Sequence, residues 1–474
     1  MAYCESSRPI YQMLCHIIDI NKEPEDLNTS KCNIYRVPCS LRNVNEEACT
    51  PQLISIGPLH FGGQNLKPMQ HQKLLYFGYF WDRVKNEEAM KAYKEYLEAE
   101  EKAIRLCYAE KFPSITKEKF VEMILLDSVF IIELFLMIRK PEHHQDDIIL
   151  KQTWLNKGIQ RDLLLLENQI PLFILDRLYT TVVPEAERRG KFIELAYDYF
   201  RCFHPYKKSK SYHDEAEKPN GYQQECSFRF GLAQHNWKNE PKHFTDMIRY
   251  FYIYENLTQR EKGLSSNVLR TATKLREAGV SFEKVYDKNL LDIKFKKLSI
   301  LSWFLFLGCI PKFTYFKARL QIPQLKIDNT TECILRNLIA FEQCHYADQP
   351  YICNYVSFID SLIHTKDDVD LLVEKEVIIH ELGSDKEVAT LVNSLCKHVV
   401  VDKTCYKDII NDLNGHYQKV WNRTMALLRL VYFRDAWRAS STLVGIAVLV
   451  FTIFNFCRVV RLVLDLDQIK GNPN

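Results

Sequence analysis

The chain has 474 residues, enough to bury one large core or two ordinary ones, so disorder is not the default. Its 63 Lys+Arg stand against 60 Asp+Glu, and the resulting net charge of +3 gives no field to attract nucleic acid or steer an acidic substrate. Fifteen cysteines without a C-x-x-C pair lack zinc-ribbon or thioredoxin-like spacing and read as mostly reduced thiols facing a cytosol-like compartment. No cofactor, metal or nucleic-acid partner is expected.

Residues 1–33 are polar and mixed and read as a mobile leader, with no apolar h-region of a secretory signal. The next stretch, "IYRVPCSLRNVNEEACTPQLISIGPLHFGG", is punctuated by Pro and Gly and reads as extended and loop-like, with a β-prone piece at Leu53 to Ile56. "ISIGPLHFGG" lacks both the P-loop and the Rossmann fingerprint. Gly57-Pro58 and Gly62-Gly63 therefore read as turns, with His60 packed or hydrogen-bonded. "AMKAYKEYLEAEEKAIRLCYAEKF" has the Glu/Lys spacing of a solvated helix face. Thr116 then caps a helix whose apolar residues run nearly all round, which places it centrally. "HHQDD" offers His143, His144, Asp146 and Asp147, ligand residue types in a polar loop that fixes no coordination geometry, and reads as solvated loop.

"RDLLLLENQIPLFILDRLY", residues 161 to 179, sets Glu167, Asn168 and Gln169 into an apolar run. On a helical wheel the three share no face, so one continuous helix would bury at least one of them at a cost in free energy. Pro171 predicts a joint instead: one helix ending near Asn168, a second beginning around Pro171, and Asn168 or Gln169 capping exposed backbone groups. The catalytic alternative makes Glu167 a general base with its pKa raised by apolar surroundings.

Beyond a helix at Phe192 to Phe203, residues 204–244 lose apolar content and read as a surface loop, with a weak basic patch at "KKSKS". Short strands are expected around Val280 to Phe282 and Leu320 to Ile327. A helical stripe of Val356, Ile359, Leu362, Val369 and Leu372 follows, then a capping box at Ser384 and Glu387. From Ala439 to Cys457 run 19 uncharged residues. Arg423, Arg429, Arg434 and Arg438 precede them, Arg458 and Arg461 follow, and Trp437 sits at the interface, the pattern of a transmembrane helix with the large body cytosolic. Four N-x-[ST] sequons, at Asn28, Asn256, Asn329 and Asn422, are glycan acceptors only if that body is lumenal. No G-x-S-x-G, H-E-x-x-H or kinase set occurs.

The ordered segments "RVPCSLRNVNEEACTPQLISIGPLHFG", "LKPMQHQKL", "RDLLLLENQIPLFIL", "TATKLREAGVSF", "LRNLIAFEQCHY" and "DDVDLLVEKEVIIHELGSDKEVATLVNSLCK" resemble the plant domain-of-unknown-function 247 proteins, also called uncharacterised protein family 0481. The resemblance covers about residues 34–457 and implies a plant membrane protein without an established activity, some relatives of which are associated with self-incompatibility. It marks Gly57, Pro58, His60, Asp162, Glu167, Asn168, Gln169, Pro171, Glu342, Asp368 and Gly383 as signature positions. The chain departs from the family at Phe61, where a paired histidine is expected, and at Gln70, where a glutamate is. It also carries an insert at 296–319, uncharged from Leu298 to Pro311, where relatives pass in a few residues. That insert is either an exposed associating segment or a retained intron.

The expected architecture is a mainly α-helical body over 34–430 with a few short strands, one transmembrane helix at 439–457 and a short tail at 458–474. The expected function is non-enzymatic recognition or signalling through unidentified protein partners, on a membrane for which the plasma membrane is the first expectation. The alternative is an enzyme using Glu167 and His60, in a pocket that Glu342 would join.

Overall fold

The computed structural model describes residues 31–141, 144, 146–188, 190–204, 240–253, 263, 268–286, 289–297, 318–419, 423–424 and 436–470. The leader before residue 31, most of the 204–244 loop with its basic patch, and 298–317 of the insert lie outside the described residues. The protein is mainly α-helical with five short strands among the described residues, as its periodicity indicates. Two compact units form. One takes residues before 204 together with segments up to 248 and at 336–347, and the other takes 249–335 and the chain from 348 on.

The first unit is built on a central helix. Helix α1 (Lys67–Val84) buries Lys73, Tyr76, Phe80 and Val84, and α2 (Glu87–Arg105) buries Met90, Tyr93, Leu97 and Ile104 at helical spacing. Asn86 caps α2 by accepting the Ala89 N–H at 3.0 Å. Helix α2 ends at Arg105, earlier than its Glu/Lys pattern suggests, because residues 106–108 turn to bring the Cys107 carbonyl to the N–H groups of Asn33 and Ile34. Helix α3 (Lys117–Arg139), capped by Thr116, is buried along most of its length, and α1 and α2 pack on it. So do α5 (Leu172–Thr181) and α6 (Phe192–Phe200), whereas the ten-residue α4 (Thr153–Asp162) leads into α5. Phe135 of α3 stacks on Tyr199 at 4.2 Å and meets Phe200 and Phe244 at 5.8 Å each, the latter from the start of α7 (Phe244–Tyr252). Asp147 belongs to no solvated loop. It is 7% exposed, accepts the Tyr76 hydroxyl at 2.9 Å and caps the turn at 148–151, so an aspartate assigned to solvent is a packed cap; His143 lies outside the described residues.

The second unit contains the strands. After α8 (Ala272–Glu277), β1 (Val280–Val285) pairs in parallel with β3 (Ala318–Pro323), and β2 (Lys294–Lys296) pairs antiparallel with the other edge of β3. In β3, Ala318, Leu320 and Ile322 are buried and alternate with half-buried Arg319 and Gln321, the period of a pleated strand. A second sheet pairs β4 (Leu325–Ile327) in parallel with β5 (Ile378–His380). Between them come α9 (Asn329–His345), whose last turns belong to the first unit, then α10 (Tyr351–Leu362) and α11 (Lys366–Glu374). Helices α12 (Asp385–Leu395), α13 (Lys407–Gln418) and α14 (Ala436–Lys470) complete the chain.

Asp368 makes the reciprocal capping box with Thr365 on α11 and also accepts the Thr273 N–H and hydroxyl at 2.9 and 2.8 Å. At α12, Ser384 accepts the Glu387 N–H at 3.3 Å, but the Glu387 carboxylate reaches back to the Gly383 N–H at 3.2 Å. The expected box is thus displaced by one residue at its return bond.

Strands β2 and β3 pair Lys296 with Arg319, so the described strand ends of the insert stand opposite each other in hairpin register. Replacing 298–317 by Asn-Gly leaves a four-residue connection that fits this register. The variant is expected to retain a single cooperative thermal transition at unchanged Tm and to raise soluble yield. A molten or unfolded product in circular dichroism would place the insert within the core.

Candidate functional site

Ten consecutive residues from Asp162 to Pro171 are buried, yet none is helical after Asp162. The joint thus begins six residues earlier than the apolar pattern suggests. A buried irregular segment must find partners for its own peptide groups. Asn168 Nδ2 donates to the Asp162 carbonyl at 2.9 Å, and Gln169 Nε2 donates to the Leu163 and Leu165 carbonyls at 2.7 Å each. These amides therefore satisfy the C-terminal end of α4 and do not cap the start of α5, where Pro171 itself holds the N-cap position. The Leu166 N–H goes to Asn337 Oδ1 at 2.9 Å, Thr245 Oγ donates to the Leu164 carbonyl, and the Tyr108 hydroxyl donates to the Gln169 carbonyl.

The remaining polar atoms reach outward to a second irregular segment. Residues 52–57 form no strand, against the β-propensity of Leu53 to Ile56, and the chain bends at 52–53 and again at Gly57. Side-chain oxygens take the place of a neighbouring strand. Asp162 Oδ2 accepts the N–H groups of Gln52, Leu53 and Ile54 at 3.0, 2.6 and 3.0 Å, Asn168 Oδ1 accepts that of Ile56 at 2.6 Å, and Asp127 Oδ2 that of Gly57 at 2.8 Å. Asp127 in turn pairs with Lys73, whose ammonium also donates to the Ser55 carbonyl, each at 2.5 Å. Gly57 has φ +71°, and a Cβ there would lie 2.5 Å from the Gln169 carbonyl oxygen. Only glycine fits this close approach of two backbones. Pro58, also buried, follows it at the turn into His60.

Glu167 holds the preceding stretch. Its Oε1 accepts the Val37 N–H at 2.7 Å and pairs with the Arg42 guanidinium, while Oε2 contacts His60 Nε2 at 2.9 Å and Arg36 at 3.5 Å. Burial alone would push this carboxyl up, but the bonds from His60, Arg42 and the Val37 N–H outweigh it and hold the carboxyl below the usual glutamate range. That direction is opposite to the raised pKa a buried general base requires. Val37, Cys49, Leu166, Ala340 and Phe341 form an apolar cluster, with Tyr35, Leu41 and Tyr346 against it.

The structure therefore joins Gly57, His60, Asp162, Glu167, Asn168 and Gln169 in one network. Glu342 is fully buried on α9 within the first unit. Asp368 and Gly383 serve helix starts in the second unit, and Trp437, Ala439 and Cys457 lie on α14. Sequence reasoning missed Asp127, Lys73, Arg42 and Asn337. Asp127 left a signal, since it interrupts the otherwise apolar run "MILLDSVF" of a helix expected to be central. Among the described residues no group of three His, Cys, Asp or Glu side chains is placed to hold a metal ion.

The model of a plant protein family of unknown function, DUF247, matches residues 34–451. The chain belongs to this family. Two similar proteins are both from Arabidopsis thaliana. UPF0481 protein At3g47200 is 28% identical over 96% of this chain and 92% of its own length; Putative UPF0481 protein At3g02645 is 26% identical over 91% of each. No solved structure matches the chain significantly. In this DUF247 protein the Glu-Asn-Gln signature is a set of backbone partners for two irregular segments.

Glu167→Gln keeps an acceptor for Val37 and is expected to cost about 1–3 kcal/mol, whereas Glu167→Leu leaves the half-buried Arg42 and the buried Val37 N–H without their partner and is expected to cost about 3–5 kcal/mol. Denaturant melts of the two variants test the order. Gly57→Ala meets a backbone oxygen that cannot yield and is expected to lower Tm more than Gly62→Ala, which has open space around its Cβ position.

The acid limb of the stability curve carries a second signature. Burial pushes His243 down to about 3, with its Nε2–H donated to the Asn33 carbonyl at 2.9 Å. Its unfolded form takes a proton near pH 6.5, so stability falls as pH drops below that value towards 3. The Glu167 contribution is fully present above about pH 4.3, the unfolded glutamate value, and is lost as pH falls through its lower folded value. His243→Gln is expected to flatten the first window, and Glu167→Gln the second, in urea melts across pH 3–7.

Proposed function

We propose that this protein is an integral membrane component that acts through protein partners and not by catalysis. The observation that carries the membrane half is α14. Its segment Ser440–Leu462 is the one helix among the described residues long and apolar enough to cross a bilayer, and none of its most apolar window is buried. A soluble protein rarely leaves so many consecutive large apolar side chains in water: Val444, Val448, Phe451, Phe454 and Phe456 are each at least 60% exposed. Helix α14 runs from residue 436 to 470, so the apolar stretch extends past Cys457 and takes in Arg458 and Arg461 near its end, where long basic side chains reach the headgroups. With the basic flank heavier before the span, the body faces the cytosol.

The recognition half draws support from Glu167. Its two oxygens are occupied by Val37, Arg42, Arg36 and His60, which suits a tie and not a proton acceptor. The enzyme alternative keeps one favourable observation, the 2.9 Å contact of His60 with Glu167. His60→Gln separates the two: a structural role predicts a loss of stability with partner capture unchanged under folding conditions, and a catalytic role predicts loss of an activity without loss of stability.

Ending the chain at Ala436 is expected to move the body from the carbonate-resistant pellet to the soluble fraction. Retention in the pellet would assign anchoring to another segment. The sequon at exposed Asn329 reports the orientation: a cytosolic body leaves it unmodified, and a glycosidase-sensitive mass shift abolished by Asn329→Gln would place the body in the lumen.

A further inference from the structure

Helix α14 carries a second pattern inside its apolar run. At 3.6 residues per turn Ser441, Gly445, Val448, Thr452, Asn455 and Val459 fall within an arc of about 80°, whereas Ile446, Val450 and Phe454 lie opposite. The polar members differ in how they are satisfied. Thr452 Oγ1 donates to the Val448 carbonyl of its own helix at 2.8 Å. Asn455 has no hydrogen-bond partner among the described residues, although it lies about 10 Å along the axis inside Leu462, the end of the apolar segment.

An amide in hydrocarbon with neither its N–H groups nor its carbonyl met is costly. Water cannot reach it there, and the chain has no second membrane-crossing helix among its described residues to cover it. A second molecule can supply that partner. We infer that α14 pairs in parallel with α14 of a second copy, along Ser441, Gly445, Val448, Thr452 and Asn455.

Three features select a second copy as the occupant. Identical chains insert in the same orientation, so Asn455 of each copy sits at the same depth. The carboxamide is both donor and acceptor, so two asparagines related by a two-fold axis satisfy each other. Gly445 has nothing within 4 Å of its Cβ position, and the missing side chain lets two backbones approach closely on the same face, about 15 Å along the axis from the asparagine. Phe451, Phe454 and Phe456 flank or oppose the stripe and face lipid.

The inference rests on the membrane reading of α14, and its test keeps the two apart. Full-length protein is reconstituted in phosphatidylcholine vesicles with donor and acceptor fluorophores fused after residue 474, and energy transfer is followed as lipid is added. Asn455→Leu is expected to weaken self-association roughly three- to twentyfold, the range for an interhelical polar contact. Gly445→Leu is expected to act in the same direction, and Val450→Leu on the opposite face to have no effect. In a Cys457→Ser background, oxidation by copper phenanthroline and air is expected to cross-link Val448→Cys and Thr452→Cys above the background of the parent, and not Ile446→Cys or Val450→Cys.

Transfer unchanged by Asn455→Leu, or cross-linking equal around the helix, would overturn the paired face while carbonate resistance leaves the span standing. Release of the intact chain by carbonate would overturn the span and the pairing together. Asn455-dependent cross-linking only to a different protein would overturn the choice of a second copy.

Discussion

The body of the first unit depends on one constraint: two buried segments that are neither helix nor strand must have every peptide group met. Asp162 answers for three consecutive N–H groups with a single oxygen, and Asn168 bridges both segments by accepting from Ile56 and donating to Ile54 and Asp162. Left unmet, each such group costs about 1–3 kcal/mol, a large share of a domain's net stability. Polar residues in an apolar run are therefore required here by the irregular backbone around them. The Arg42 and Lys73 charges follow from the same constraint, because a buried carboxylate that holds N–H groups also needs a cation to remain ionised.

This constraint explains why the central helix tolerates Asp127. The helix carries two buried carboxylates, each with its own cation: Glu133 accepts from Arg83, and Asp127 sits at 1% exposure because Lys73 and the Gly57 N–H meet both its oxygens. Burial pushes its carboxyl up, and the lysine and the N–H oppose that shift. The aromatic cluster around Phe135 and the polar network that Asp127 joins are thus held by two stretches of one helix, the first by area removed from water and the second by hydrogen bonds.

Much of the helical content was legible because it rests on local periodicity and caps. Thr116, the apolar stripe of α3, the strands at 280–285 and 318–327 and the long apolar helix at the end all follow from spacing within a few residues. The joint at 162–171 was legible in kind and not in place. A helical wheel registers that Glu167, Asn168 and Gln169 conflict, but the residues that resolve the conflict are Ile54, Val37 and Asn337, which no local window contains. The same distance hid the fate of Leu53 to Ile56, whose propensity favours a strand but whose neighbours supply carboxylates and amides in place of a partner strand.

The bond from the Leu166 N–H to Asn337 spans 171 residues, and the one from Asn337 to the Ala48 carbonyl spans 289. During translation the apolar stretch after Asp162 emerges long before its last partner exists. At ordinary elongation speeds the delay is on the order of ten to thirty seconds, far longer than hydrophobic collapse takes. Until residue 337 has left the ribosome, the Leu166 N–H and the Ala48 carbonyl lack the side chain that joins them in the folded unit, so this part of the core closes late.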